Sequence, residues 1–200
     1  MRFALRGTAR AALMVIFGLV VAACETPPSQ NNFAEITFSH LPEIKLNVSE
    51  IVYQSDYQAP KALPNVDHVF PVPPERAVKR WADDRLRAVG PANKAVFILK
   101  DASVIEERLE TKGGVTGAFT TQQSERYTAR MSVEMNIVDN FGNTLSTLNA
   151  RTERSTTTAE DLSLREREEV WFKLTEDVMR DLDQQLEPTI RRVFFPYVTL

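Results

Sequence analysis

Arg126-Tyr-Thr-Ala-Arg-Met-Ser-Val-Glu-Met-Asn-Ile-Val138 is the stretch on which the fold turns. Tyr127, Ala129, Met131, Val133, Met135 and Ile137 alternate with Thr128, Arg130, Ser132, Glu134 and Asn136. Successive side chains of a strand point to opposite faces, so a period of two describes a long strand with one face dry and the other wet. Asp139-Asn-Phe-Gly-Asn143 supplies turn chemistry, and Thr144 to about Thr157 returns as a β-branched, polar strand. A long antiparallel hairpin is expected, and its dry face needs a cover.

Helices on either side can provide it. Downstream, Ser163 and Glu166 have the S-x-x-E spacing of a capping box. Trp171, Leu174, Val178, Leu182 and Leu186 follow at helical spacing as one apolar stripe, and Pro188 is expected to kink or end that helix. Upstream, Pro74 suits a first helical turn, and a helix over Glu75 to Val89 carries Ala77, Val78, Trp81, Ala82, Arg85, Leu86 and Val89 on one face before Gly90-Pro91. Trp81 on that stripe reads as core.

The remaining apolar runs read as strands. Ala95-Val-Phe-Ile-Leu99 is almost continuously apolar, as in an interior strand covered on both faces, and its pattern continues towards Leu109. Ile44, Leu46 and Val48 alternate with polar residues, and Ile51 and Tyr53 resume after a phase change that a bulge would explain. Gln54 to Pro74 is a proline-rich loop, either a spacer wrapped on the domain edge or a partner contact. Thr111 to Thr121, with Gly113, Gly114 and Gly117, reads as a flexible connection. Strand, helix, strand, hairpin and helix make one α+β domain over residues 33–200, an antiparallel sheet with two main helices on one face.

The N-terminus has a different grammar. Arg2, Arg6 and Arg10 precede an uninterrupted small or apolar run from Ala11 to Ala23, which ends at Cys24. This is the order of an export signal. The run falls short of the roughly 20 apolar residues that a helix needs to cross a bilayer. Val21-Ala22-Ala23-Cys24 resembles the lipobox of bacterial lipoproteins. That resemblance implies cleavage before Cys24 and acylation of its sulfur and new amino terminus. Cys24 is the only cysteine, so it has no disulfide partner, and lipidation accounts for a lone exported thiol. Residues 1–23 then read as a signal peptide, and residues 24–32, polar and carrying Pro27 and Pro28, as a lipidated tether to a periplasm-facing domain. Glu25 rather than Asp follows the cysteine. Asp there resembles an inner-membrane retention signal, so the outer membrane is favoured.

Charge and motifs exclude more than they assign. The sequence carries a net charge of −3, and the leader takes three arginines and no acid, which leaves the rest more acidic still. A nucleic-acid binder would show a basic face, so no nucleic-acid partner is expected. His40 and His68 are the only histidines, and both fall in expected loops away from any metal-ligand spacing. There is no G-x-S-x-G elbow, and Gly113-Gly-Val-Thr-Gly117 lacks the lysine and spacing of a P-loop. Glu106 and Glu107 are neighbours on an expected strand and point to opposite faces. Neither an enzyme nor a cofactor is expected.

Arg126 to Val138, the turn from Asp139 to Gly142 and the charged helix from Leu164 to Leu186 resemble the C-terminal half of small periplasmic lipoproteins. These include the LPS-assembly lipoprotein family (LptE) and the auxiliary lipoproteins of ABC-type lipid transport systems. The resemblance covers residues 75–187 as an order of elements, and no site residue carries over. Trp171-Phe172 and Pro188 depart from the alanine-rich, uninterrupted helix of the LPS-assembly family. The resemblance implies a non-catalytic accessory subunit of a transport or envelope-assembly machine. Outer-membrane activators of peptidoglycan synthases are similar in architecture, and a lipid- or glycan-binding lipoprotein also fits. The tail Val193-Phe-Phe-Pro-Tyr-Val-Thr-Leu200 either packs on the domain or offers Phe194, Phe195 and Tyr197 as a partner contact.

Overall fold

The computed structural model of the chain describes residues 33–110 and 122–199. The expected connection at Thr111 to Thr121 and everything before Phe33, Cys24 included, lie outside the described residues. In chain order the elements are β1 (Ile44–Leu46), β2 (Glu50–Ser55), a 3-10 turn (Asp67–Val69), helix α1 (Pro74–Arg85), β3 (Leu86–Ala88), β4 (Lys94–Asp101), β5 (Val104–Arg108), β6 (Gln123–Val138), β7 (Thr144–Ala159), helix α2 (Leu164–Val193) and β8 (Val198–Thr199).

The hairpin of β6 and β7 is the spine. Its strands pair from Glu125↔Thr158 to Ile137↔Ser146, with register shifts only at the two ends. Tyr127 to Ile137 alternate as read: every second side chain is fully buried and the ones between are half-buried. Both helices lie on that dry face. At about 1.5–3 kcal/mol for each large apolar side chain taken from water, this stripe is a main source of cohesion. Where α2 begins, Trp171 stacks on Phe70 at 5.1 Å and meets Tyr127 edge-on at 5.6 Å.

Around the spine the sheet is mixed, where antiparallel pairing throughout was expected. β4 runs antiparallel to β6, but β2 runs parallel to β4, from Glu50↔Lys94 to Ser55↔Leu99. The cause is the connection. Between β2 and β4 the chain passes through a long loop and α1, and such a crossover brings a strand back in the same direction. A second, small sheet has the order β3-β1-β8, with β1 and β3 again parallel.

Four boundaries also differ. α1 stops at Arg85, and Leu86, Arg87 and Ala88 become extended because β1 offers them a partner and Leu86 a buried seat. Just beyond, a Cβ on Gly90 would lie 2.5 Å from the carbonyl carbon of Asn47, so glycine is required by close approach. The run from Ile44 to Tyr53 is two strands in two sheets. Val48, fully buried, marks a corner at which its N–H donates to the carbonyl of Leu46. The run from Ala95 towards Leu109 is also two strands, β4 and β5, both on the same flank of β6. They part where Asp101 accepts a hydrogen bond from the Ser103 N–H, and Val96 and Ile98 are only half-buried, so β4 is covered on one face. Finally, of the two expectations for Pro188 the ending fails: α2 carries it in its interior and continues to Val193, because Ile190 and Phe194 are buried beyond it.

The capping box at Ser163 and Glu166 is formed in both directions. Its hydrogen bonds, first from the Ser163 side chain and then from its backbone, lower the pKa of the Glu166 carboxyl. The proline-rich loop wraps the domain. Val66 donates to the carbonyl of Val104, and Glu106 donates to that of Pro64, so the loop closes the outer edge of β5. Val66, Phe70 and Val72 are buried beneath it.

Candidate interaction site

The three tail aromatics do not act together. Phe194 is fully buried and belongs to the core, Tyr197 is half-buried, and Phe195 is 78% exposed. The local chain explains the split. Phe194 closes α2 by donating to Ile190, and the carbonyl of Phe194 then accepts from Tyr197 and Val198. That tight 3-10 turn, with Pro196 at its second residue, points Phe195 away while β8 is pinned to β1. The candidate contact is thus Phe195, with Tyr197 at its margin.

A second aromatic at the same end was visible only as turn chemistry. Phe141 tops the β6–β7 hairpin and is 91% exposed. Asp139 holds the turn: its carboxylate accepts from the Asn143 side chain and from the N–H groups of Asn143 and Phe141. The bonds from Asn143 and then those from the turn backbone lower the Asp139 pKa. Gly142 has φ +89, a left-handed conformation that suits glycine at this corner. Phe141 is therefore presented by a rigid turn. A chain of hydrogen bonds ties this tip to the tail. Asn93 donates to Asn140, Ser49 donates to the Asn93 carbonyl at 2.6 Å, and Asn47 donates to the Tyr197 carbonyl at 2.7 Å. A phenylalanine inside a polar turn was the available signal, since nothing in a turn requires an aromatic ring.

The described chain begins at the opposite end. The Phe33 ring packs on Phe172 at 5.2 Å, in the first third of α2. At 1.5 Å per helical residue, Phe172 and Phe194 are separated by roughly 30 Å along the helix. The point where the described chain starts and the exposed aromatics are thus at opposite ends of α2.

Two hollows flank α2. One, of about 500 Å³, runs between its N-terminal half and β7, with Val170 and Leu174 as floor and Arg154, Glu169, Lys173 and Asp177 as rim. Burial alone would raise the Asp177 pKa, but the hydrogen bond and charge of Lys173, then the charge of Arg180, bring it below its usual value. The other, of about 330 Å³, lies between α2 and residues 36–41, and His40 lines it. His68 sits exposed on the 3-10 turn. Among the described residues no group of three or more His, Cys, Asp or Glu side chains is placed to hold a metal. Glu106 and Glu107 face opposite sides, opposite Tyr127 and Arg126 respectively. No helix of the described residues is long and apolar enough to cross a membrane.

No protein-family model matches the chain, and no curated protein matches it. Among solved structures the chain is similar to a minor lipoprotein from Acinetobacter baumannii, with 14% identity, a TM-score of 0.41, and coverage of 78% of this chain and 98% of that one. It is also similar to the rare lipoprotein B from Shewanella oneidensis, with 15% identity, a TM-score of 0.39, and coverage of 72% and 98%.

Proposed function

We propose that this chain is a lipoprotein of the bacterial cell envelope, acylated on Cys24, whose domain serves as a non-catalytic accessory subunit of a transport or envelope-assembly machine. The leader carries the proposal: three arginines, an apolar run and Val21-Ala22-Ala23 directly before the one cysteine. Several acyl chains, at about 0.8 kcal/mol per buried methylene, hold a protein durably on a bilayer. Glu25 favours the outer membrane.

The placement of the aromatics supports a docking role. The tether joins the domain at Phe33, beside Phe172, while Phe141 and Phe195 stand at the other end. A domain held by one end presents its far end to a partner. The hollow beside β7 has a charged rim and a small apolar floor, which does not favour an acyl-chain ligand. Intact-mass measurement of the protein from its native host tests the anchor: acylation of Cys24 after loss of residues 1–23 is expected, and a free thiol or a retained leader overturns it. Cross-linking in intact envelopes tests the role. A defined envelope protein is expected on the wild-type chain and not on the Phe141→Ser, Phe195→Ser double variant; equal capture by both removes the docking end.

A further inference from the structure

β7 occupies one edge of the large sheet, and among the described residues no backbone group pairs with its outer side. Sixteen residues long, it is regular between its ends and contains neither proline nor lysine, and of the usual devices that keep an edge from pairing it carries only the charges of Arg151, Glu153 and Arg154. Its sequence, Thr144-Leu-Ser-Thr-Leu-Asn-Ala-Arg-Thr-Glu-Arg-Ser-Thr-Thr-Thr-Ala159, is rich in β-branched threonine. The other flank of β6, by contrast, is closed at β5 by the proline-rich loop.

We propose that the free edge of β7 pairs antiparallel with β7 of a second copy of this chain, centred on Thr152. Two copies of a strand that pair antiparallel in a closed dimer are related by a two-fold axis normal to the sheet. Their faces then match, and the axis passes through a residue opposite its own copy. Centring on Arg151 or on Glu153 would set like charges against each other. Centring on Thr152 sets Arg151 opposite Glu153 of the second copy, and does so twice.

A further observation favours this register. Arg151 forms no ion pair among the described residues, whereas Glu153 already accepts from Arg130 at 2.7 Å. The second copy's Arg151 would complete an alternating row of Arg130, Glu153 and Arg151. The axis sets Thr152 opposite its own copy, and threonine pairs across strands stabilise sheets. On the outer face the same register places Asn149 opposite Ser155 and Thr147 opposite Thr157.

The test uses the full chain carrying Cys24→Ala, purified in detergent, with Asn149→Cys or Ser155→Cys added. Directly opposed residues lie within disulfide reach. Mild oxidation is expected to give a disulfide-linked dimer from a mixture of the two variants and from neither alone. Absence of the link in the mixture, equal linking by one variant alone, or a link to a different polypeptide overturns the proposal. In sedimentation equilibrium, Arg151→Glu is expected to weaken self-association roughly thirtyfold, since two attractive pairs become repulsive. Adding Glu153→Arg together with Arg130→Glu, which keeps the pair within each copy, restores it. Unchanged association in Arg151→Glu, or failure of the exchange to restore it, overturns the register.

Discussion

Two arginines reach α2 from opposite sides and bind aspartates two residues apart, and their surroundings could hardly differ more. Arg85 comes from α1, has a fully buried side chain, and bonds Asp183, Glu187 and the carbonyl of Pro42. Arg154 comes from β7, is 48% exposed, and forms a two-pronged bond with Asp181 at 2.9 Å. On the Arg85 side the Trp81 indole also donates to Asp183, at 2.7 Å, so one carboxylate serves two buried donors. On the Arg154 side the arginine stands at the rim of the open hollow, and its pair with Asp181 is partly exposed. The same chemical pair thus locks one flank of α2 and merely decorates the other. The locked flank is structural, and the open flank, with its free strand edge, is where the molecule has surface to offer.

The largest effect should come from breaking the locked flank. Arg85→Ala leaves Asp183 without its cation and Glu187 with Arg191 alone, and it is expected to lower stability by about 3–5 kcal/mol in urea unfolding. Arg154→Ala, in the same measurement, should leave the midpoint nearly where it was, because exposed pairs are screened. Similar losses for both variants would erase the contrast. The contrast also carries a pH signature. Burial would raise the Glu187 pKa, but the Arg191 hydrogen bond and the Arg85 charge outweigh it, and the net shift is downward. A carboxyl with a depressed folded-state pKa contributes stability above its unfolded pKa, and that contribution fades as pH falls through the folded value. Glu187→Gln should therefore destabilise at neutral pH and flatten the acid limb of a stability–pH curve. An unchanged acid limb would detach Glu187 from the lock. Smaller still is the cap of α2: Ser163→Ala removes the side-chain acceptor for the Glu166 N–H and should cost about 1 kcal/mol by thermal unfolding.

What was legible in the sequence tracks what was local. The period of two from Tyr127 to Ile137, the turn at Asp139 to Asn143 and the cap at Ser163 depend on neighbours along the chain, and the structure bears out all three. The breaks that went unread depend on partners far away. Leu86 to Ala88 leave the helix because β1 waits for them, and the corner at Val48 exists because the tail and Gly90 close on Asn47. Parallel pairing of β2 with β4 follows from the path of a crossover, and residue alternation does not encode direction. Arg85 falls on the apolar stripe of its helix in the sequence, but its two carboxylate partners are not legible there, since they lie about a hundred residues downstream. The tail aromatics showed their composition but not their division, because which of two adjacent phenylalanines is buried depends on where β1 catches the chain.

That division supplies the gentlest and most discriminating prediction. Phe194 and Phe195 are neighbours of identical chemistry, one without exposure and the other largely bare. Phe194→Ala should cost about 3–5 kcal/mol, as a lost core aromatic does. Phe195→Ser should stay within about 0.5 kcal/mol of wild type, because it touches little that folding requires. A near-neutral change at an exposed ring isolates function from folding, which the Phe194 variant cannot do. If Phe195 serves a partner, its serine variant keeps the unfolding curve and loses the envelope cross-link. If both are kept, Phe195 is incidental and the docking end rests on Phe141 alone, which is 91% exposed.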